Sequence, residues 1–131
     1  MVYIKNYEET YNKAINDFII SIYVEEFGFE EHREDIEQHD NEIYKRSDGN
    51  LWIAVNEKDE IIGTIALLKH NDDNIELKKF YVRKDYRGQG VSKALYEKAI
   101  KMCKENGFKR IFLGTYEKLE TAIQFYIKRR I

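Results

Sequence analysis

The stretch from Ile75 to Asn106 constrains the fold more than any other part of the chain. Ile75–Val82 reads as a strand and Val91–Asn106 as a long amphipathic helix. That helix carries Val91, Ala94, Leu95, Ala99, Met102 and Cys103 on one face, with Gly107 closing it. Lys93, Glu97 and Lys101 follow one another at i,i+4 on the opposite face, a pairing worth a few tenths of a kcal/mol. A short basic loop containing Arg87-Gly88-Gln89-Gly90 joins the two elements. A strand that passes through so short a loop into a helix must lay that helix on its own sheet, which calls for layered α/β or α+β packing.

The remaining segments agree with that architecture. Val2–Lys5 is a short first strand, and Tyr11, Ala14, Ile15, Phe18, Ile19 and Ile22 recur at helical spacing before Gly28. Glu30–Gln38 is a second, very polar helix. Leu51–Val55 and Ile61–Lys69 form a hairpin about the polar turn Glu57–Glu60, and Asn71–Asn74 turns the chain into the strand at Ile75. Ile111–Thr115 is a strand and Lys118–Arg129 a final helix, with Leu119, Ala122, Ile123 and Tyr126 facing inward. The expected order is β-α-α-β-β-β-α-β-α with helices on both faces of the sheet. The 131 residues, 43% of them hydrophobic, are enough for one domain (residues 1–131) with a packed core. A single cysteine excludes a disulfide framework and a multi-cysteine zinc site. No apolar run reaches the ~20 residues of a membrane span. Met1–Tyr7 lacks the pattern of a secretory signal, so a cytoplasmic location is expected.

The net charge of −2 conceals a strong asymmetry. Residues 25–48 hold ten acids and three bases, whereas residues 78–131 hold fifteen bases and five acids. The basic half suits an anion such as a phosphorylated small molecule, and the acidic segment suits a cation; two solvated helix faces of opposite sign account for the same numbers. Nucleic acid is disfavoured, because the basic half lacks interleaved aromatic residues and the acidic half would repel a duplex.

Gly88 and Gly90 allow positive φ and close backbone approach to a ligand. The N–H groups of Gln89, Gly90, Val91 and Ser92 then lie at a helix N-terminus, where a pyrophosphate is the natural occupant. A plain left-handed turn entering a helix is the alternative. The loop is not a Walker loop, which needs four residues between its glycines and a following Gly-Lys-Ser/Thr. Nor is it a dinucleotide fingerprint, since Lys93 stands where the third glycine belongs.

At these residues the chain resembles the GNAT family of N-acetyltransferases. Arg87-Gly88-Gln89-Gly90-Val91-Ser92 matches the family's Gln/Arg-x-x-Gly-x-Gly/Ala loop except at Ser92, which is small and keeps its N–H. Glu76–Val82 is similar to the family's fourth strand, Leu113-Gly114-Thr115 to its next strand and Ala122–Tyr126 to its last conserved helix. The resemblance implies a mixed, largely antiparallel central sheet flanked by helices, and acetyl-CoA as co-substrate with no metal. The amides of Gln89, Gly90, Val91 and Ser92 would hold the pyrophosphate, with Gly88 opening the turn and Arg87 and Lys93 nearby. The backbone of Phe80, Tyr81 and Val82 would pair with the pantetheine arm.

Acetyl transfer to an amine of pKa about 10.4 requires a base. The resemblance places Glu76 in that role, and a strand carboxylate paired with Lys78 is the structural alternative. It likewise makes Tyr126 the proton donor to the departing thiolate, against a core tyrosine. The implied partner is a small-molecule amine or a lysine-type side chain. A cationic acceptor would be steered by Glu30, Glu31, Glu34 and Asp35. Cys103 reads as a buried inert thiol, Trp52 as core, and His32, His39 and His70 as surface residues without metal-ligand spacing.

The sequence departs from the family pattern after Tyr126, where Ile127–Ile131 replaces the Gly-Phe pair and two further strands. Lys84 stands in place of a frequent proline, and Leu119 in place of an asparagine. The strand at Ile111–Thr115 is therefore expected to expose an edge that a second subunit would cover, as in a homodimer. An active acetyltransferase and a coenzyme A-binding module without catalysis both fit this pattern.

Overall fold

The computed structural model describes residues 1–113. The predicted last helix, Tyr126 with it, lies outside the described residues. Strand β1 (Tyr3–Asn6) is followed by α1 (Asn12–Tyr23), by two short helices, α2 (Arg33–Glu37) and α3 (Ile43–Arg46), and by β2 (Asn50–Val55), β3 (Ile61–Lys69) and β4 (Asn74–Val82). Helix α4 (Val91–Glu105) and β5 (Arg110–Leu113) complete the described elements. The strands form one sheet in the order β1-β2-β3-β4-β5, antiparallel except for the parallel β4/β5 pair. This is the expected mixed, largely antiparallel sheet.

Strand alternation divides the core into two layers. Leu51, Ile53 and Val55 of β2 join Ile15, Ile19 and Ile22 of α1 on one face of the sheet. Trp52 and Ala54 point the other way, joining Ile65, Leu67, Ile75 and Leu77 beneath Val91, Leu95, Ala99 and Cys103 of α4. Cys103 is fully buried, and burial pushes its thiol up to about 11, so it is the inert core residue expected. The polar second helix is shorter than its pattern suggests. Glu30–His32 is a 3₁₀ turn, and α2 proper is only five residues long. Helix α3, unforeseen in the sequence, is nucleated locally: Asp40 Oδ1 accepts the Glu42 N–H at 3.0 Å.

Candidate active site

The site is organised by a break in β4. Opposite Ile65, β4 supplies both Lys79 and Phe80, because Thr64 pairs with Tyr81 and Ala66 with Lys78. This is a β-bulge, with Lys79 at φ 52°, and it is pinned by the buried Thr64 hydroxyl donating to the Lys79 carbonyl at 2.6 Å. The β4/β5 register runs from Asn74↔Arg110 to Leu77↔Leu113. Among the described residues, the β4/β5 pairing thus stops at Leu77, before Phe80, Tyr81 and Val82. Phe80 stacks on Tyr96 at 6.4 Å, Tyr81 meets Tyr23 edge-on at 6.4 Å, and Val82 is buried beneath α4. Burial pushes the Tyr81 phenol up to about 12.

Beyond Val82 the chain makes a 3₁₀ turn at Lys84–Tyr86 and enters the glycine loop. Gly88 and Gly90 adopt φ 78° and 85°, and a Cβ on either would meet nothing within 4 Å. Among the described residues, the loop is thus open rather than packed against the protein. Gln89 braces it by donating from its side chain to the Asp85 carbonyl at 2.9 Å. Backbone bonding of α4 begins with Ala94 donating to Gly90, so the six N–H groups from Gly88 to Lys93 find no acceptor among the described residues. Val91 is buried, Ser92 is exposed, and Lys93 projects outward 4.0 Å from Glu97. Arg87 is committed to the protein: its Nε donates to the Val82 carbonyl at 2.9 Å, and its two terminal nitrogens donate to Glu26 at 2.7 and 2.8 Å. This bidentate pair holds the Glu26 carboxyl below the usual range and ties the end of α1 to the loop.

Glu76, on the same face of β4 as Tyr81, is buried rather than solvated. Its Oε1 lies 2.8 Å from His70 Nε2, and its Oε2 lies 4.0 Å from Lys78 Nζ. His70 is at the surface as expected, yet its ring is spent on Glu76 and packs against Phe112 at 5.0 Å. A carboxylate has no hydrogen to give, so Nε2 carries the proton and Nδ1 is left as the basic atom. The sequence held a signal for this pairing. Leu68 stands opposite Glu76 across the hairpin, which places His70 two residues further along on the Glu76 face.

His39, expected at the surface, is partly buried instead. Its ring nitrogen lies 3.2 Å from the buried Tyr44 hydroxyl, and its carbonyl accepts from Asn12 and Asn16 of α1. Burial first, then Lys79 and Lys78, lowers its pKa. Lys79 is pushed down to about 8 by burial and by Lys78, so its charge opposes folding. This penalty is full below about pH 8 and fades as the pH approaches the ordinary lysine range of 10.5. Lys79→Met should therefore stabilise the protein at pH 7, and its advantage over wild type in urea melts should shrink by pH 10.

The acidic residues singled out in the sequence do not converge on Glu76. Glu30 is taken by Arg33 at 2.7 Å, and Glu31 lies 3.7 Å from His32. Both carboxylates, with those of Glu34 and Asp35, are exposed. Among the described residues, no cluster of His, Cys, Asp and Glu could hold a metal ion, and no helix is long and apolar enough to cross a membrane.

The profile of the acetyltransferase (GNAT) family matches residues 16–130. The chain belongs to the GNAT family. A GNAT acetyltransferase structure from Staphylococcus aureus superimposes with a TM-score of 0.84 at 34% identity, covering 96% of this chain and 81% of that one. The N-acetylaspartate synthetase of Xenopus tropicalis is 36% identical over 83 residues, which are 62% of this chain and 29% of the synthetase. This chain spans less than a third of that relative's length. A GNAT acetyltransferase from Elizabethkingia anophelis with acetyl-CoA bound has the same fold, with a TM-score of 0.60 and 21% identity over 95% of this chain and 72% of that one. The GNAT assignment accounts for the strand–glycine loop–helix unit as a whole. The local partners of Glu76 and Lys79 are properties of this chain.

Proposed function

We propose that this GNAT chain transfers an acetyl group from acetyl-CoA directly to a primary amine. The observation that carries this reading is the run of six N–H groups from Gly88 to Lys93 that find no acceptor among the described residues, opened by two glycines whose missing side chains meet nothing among those residues. These donors fit a pyrophosphate, reinforced by the α4 dipole. In this reading Arg87 is a strut that fixes the loop through Glu26 and Val82, and Lys93 supplies charge at the rim. The stretch of β4 from Phe80 to Val82, beyond the last β4/β5 pair at Leu77, suits the amide-bearing pantetheine arm as an added strand.

When bound, acetyl-CoA supplies the activated acetyl thioester. Glu76 and His70 receive the proton that the amine must lose, Glu76 orienting the ring through its 2.8 Å contact with Nε2. Tyr126 keeps the role implied by the resemblance, donating a proton to the departing thiolate. The Glu76–His70 pairing favours an active enzyme over a module that only binds coenzyme A.

Calorimetry with acetyl-CoA and thiol release with a panel of amines test the proposal together. Gly90→Ala introduces a methyl group that the protein itself can house, at a backbone cost of about 1–2 kcal/mol for a side chain in the left-handed region. Its cost to acetyl-CoA affinity should be larger, at least tenfold, because the methyl intrudes on the phosphate donors. No heat with acetyl-CoA, or unchanged affinity in Gly90→Ala, would sink the reading.

A further inference from the structure

A carboxylate stands beside the loop proposed to receive an anion, where charge alone would exclude it. Glu26, just beyond the end of α1, is 61 residues from Arg87, yet it accepts from both terminal nitrogens of that side chain at 2.7 and 2.8 Å. The third donor of the same guanidinium, Nε, reaches the Val82 carbonyl at 2.9 Å. Arg87 is thereby fixed in two directions, to the end of α1 and to the end of β4. A bidentate carboxylate orients a guanidinium as well as neutralising it.

Glu26 is itself firmly supported. Its N–H donates to the carbonyl of the buried Ile22 at 3.1 Å, and the Gly28 N–H donates to that of the buried Val24 at 2.8 Å. One turn back, Tyr23 meets Tyr81 edge-on at 6.4 Å. The end of α1 therefore touches β4 through Tyr23 and the glycine loop through Glu26. The loop needs such support. Arg87 immediately precedes Gly88, and glycines at φ 78° and 85° leave the backbone with more freedom than any other residue would. Helix α4 fixes the exit of the loop, and Arg87 fixes its entry. Donors held in place before the ligand arrives spare it the entropy of ordering them.

We infer that Glu26 is a positioning residue for the diphosphate site: by holding Arg87 it sets the N–H groups of Gly88–Lys93 in register for the ligand, without touching it. The inference rests on the reading of this loop as the coenzyme A site. It has a consequence opposite to that of simple electrostatics. Removing a negative charge beside an anion site, and releasing a guanidinium there, would tighten binding if charge were the controlling effect. Loss of a positioning residue weakens it. The sign of the change separates the two.

Calorimetric titration with coenzyme A reads that sign without turnover. Glu26→Gln should weaken binding by about tenfold, whereas Glu25→Gln, the same charge change at the exposed neighbouring residue, should stay within about twofold of wild type. Dephospho-coenzyme A keeps the diphosphate and should lose the same factor. Arg87→Gln and the Glu26→Gln/Arg87→Gln double variant should match Glu26→Gln within about twofold, as for partners acting through one contact. In turnover, S-acetylpantetheine lacks the diphosphate, and its kcat/KM should be equal in wild type and Glu26→Gln, a result that general loosening of the fold would not give. Unchanged or tighter coenzyme A binding in Glu26→Gln overturns the inference. So does a far larger loss in Arg87→Gln than in Glu26→Gln, since Arg87 would then hold the diphosphate directly. No heat with wild type removes the reading of the loop and this inference together. Binding that depends on Glu26, with no amine acetylated, removes the acetyl-transfer reading and leaves the positioning role standing.

Discussion

Glu76→Gln should lower kcat for acetyl transfer by about 10²–10⁴-fold, the usual contribution of a positioned acid–base group, while leaving coenzyme A affinity within about twofold. The substitution keeps the volume of the buried side chain and retains a group able to hydrogen-bond His70 Nε2 at 2.8 Å. What it removes is the negative charge that holds the ring through Nε2. A comparison with His70→Gln distributes the role between the two residues. If the proton is received by the pair, both variants fall by similar factors and the double variant falls little further, as for residues acting as a unit. If Glu76 acts alone, His70→Gln loses less than about tenfold. Pre-steady-state thiol release in place of steady-state rates keeps product release from masking the effect. Full activity in Glu76→Gln would leave the carboxylate a structural counter-ion for Lys78 and His70, the alternative that the sequence kept open.

The features legible in the sequence are those set by local periodicity. The alternation in β2, the helical spacing of α4 and the paired glycines before it are each decided within a window of about fifteen residues, and these fix the layer order and the location of the loop. Glu76 was named as a candidate base through the resemblance. What it touches was not read, since its contact with His70 depends on the register of a hairpin, although the turn at Asn71–Asn74 and the facing pair Leu68↔Glu76 make that register derivable. The bulge was invisible for a different reason. Lys78-Lys79-Phe80 carries no glycine, and Lys79 takes a positive φ because the Thr64 hydroxyl of the neighbouring strand holds its carbonyl. Charge is redistributed for the same reason. Summed along residues 25–48 it is strongly acidic, but Glu26 is matched by Arg87, Glu30 by Arg33 and Asp40 by Arg46. Net charge sums a segment, and a binding site feels only the charges left unpaired.

Gly49→Ala should be the most destabilising single-methyl change in the described fold, costing about 3 kcal/mol. At the Asp48-Gly49 turn the glycine is not the left-handed residue. Asp48 takes the positive φ, at 63°, whereas Gly49 is required because there is no room for a side chain. A Cβ there would lie 1.8 Å from the Leu67 carbonyl oxygen and 3.0 Å from that of Tyr44. Both are backbone atoms, and the Gly49 N–H already donates to the Tyr44 carbonyl at 2.8 Å, so neither can turn aside as a side chain would. Relief requires β2 to separate from β3 at Asn50↔Leu67 or α3 to lift from the sheet. Since a domain of this size is stable by roughly 5–15 kcal/mol, the loss should lower the melting temperature by about 10 °C. Lifting α3 also moves Tyr44, and with it His39, away from the Glu76 face, so acceptor KM should rise in the folded fraction while affinity for coenzyme A, held at the far end of β4, should not. Gly90→Ala provides the contrast, with its space open and its cost confined to the backbone. Gly49→Ala melting within 2 °C of wild type would mean that β2 and β3 are not packed as closely at this point as Gly49 requires.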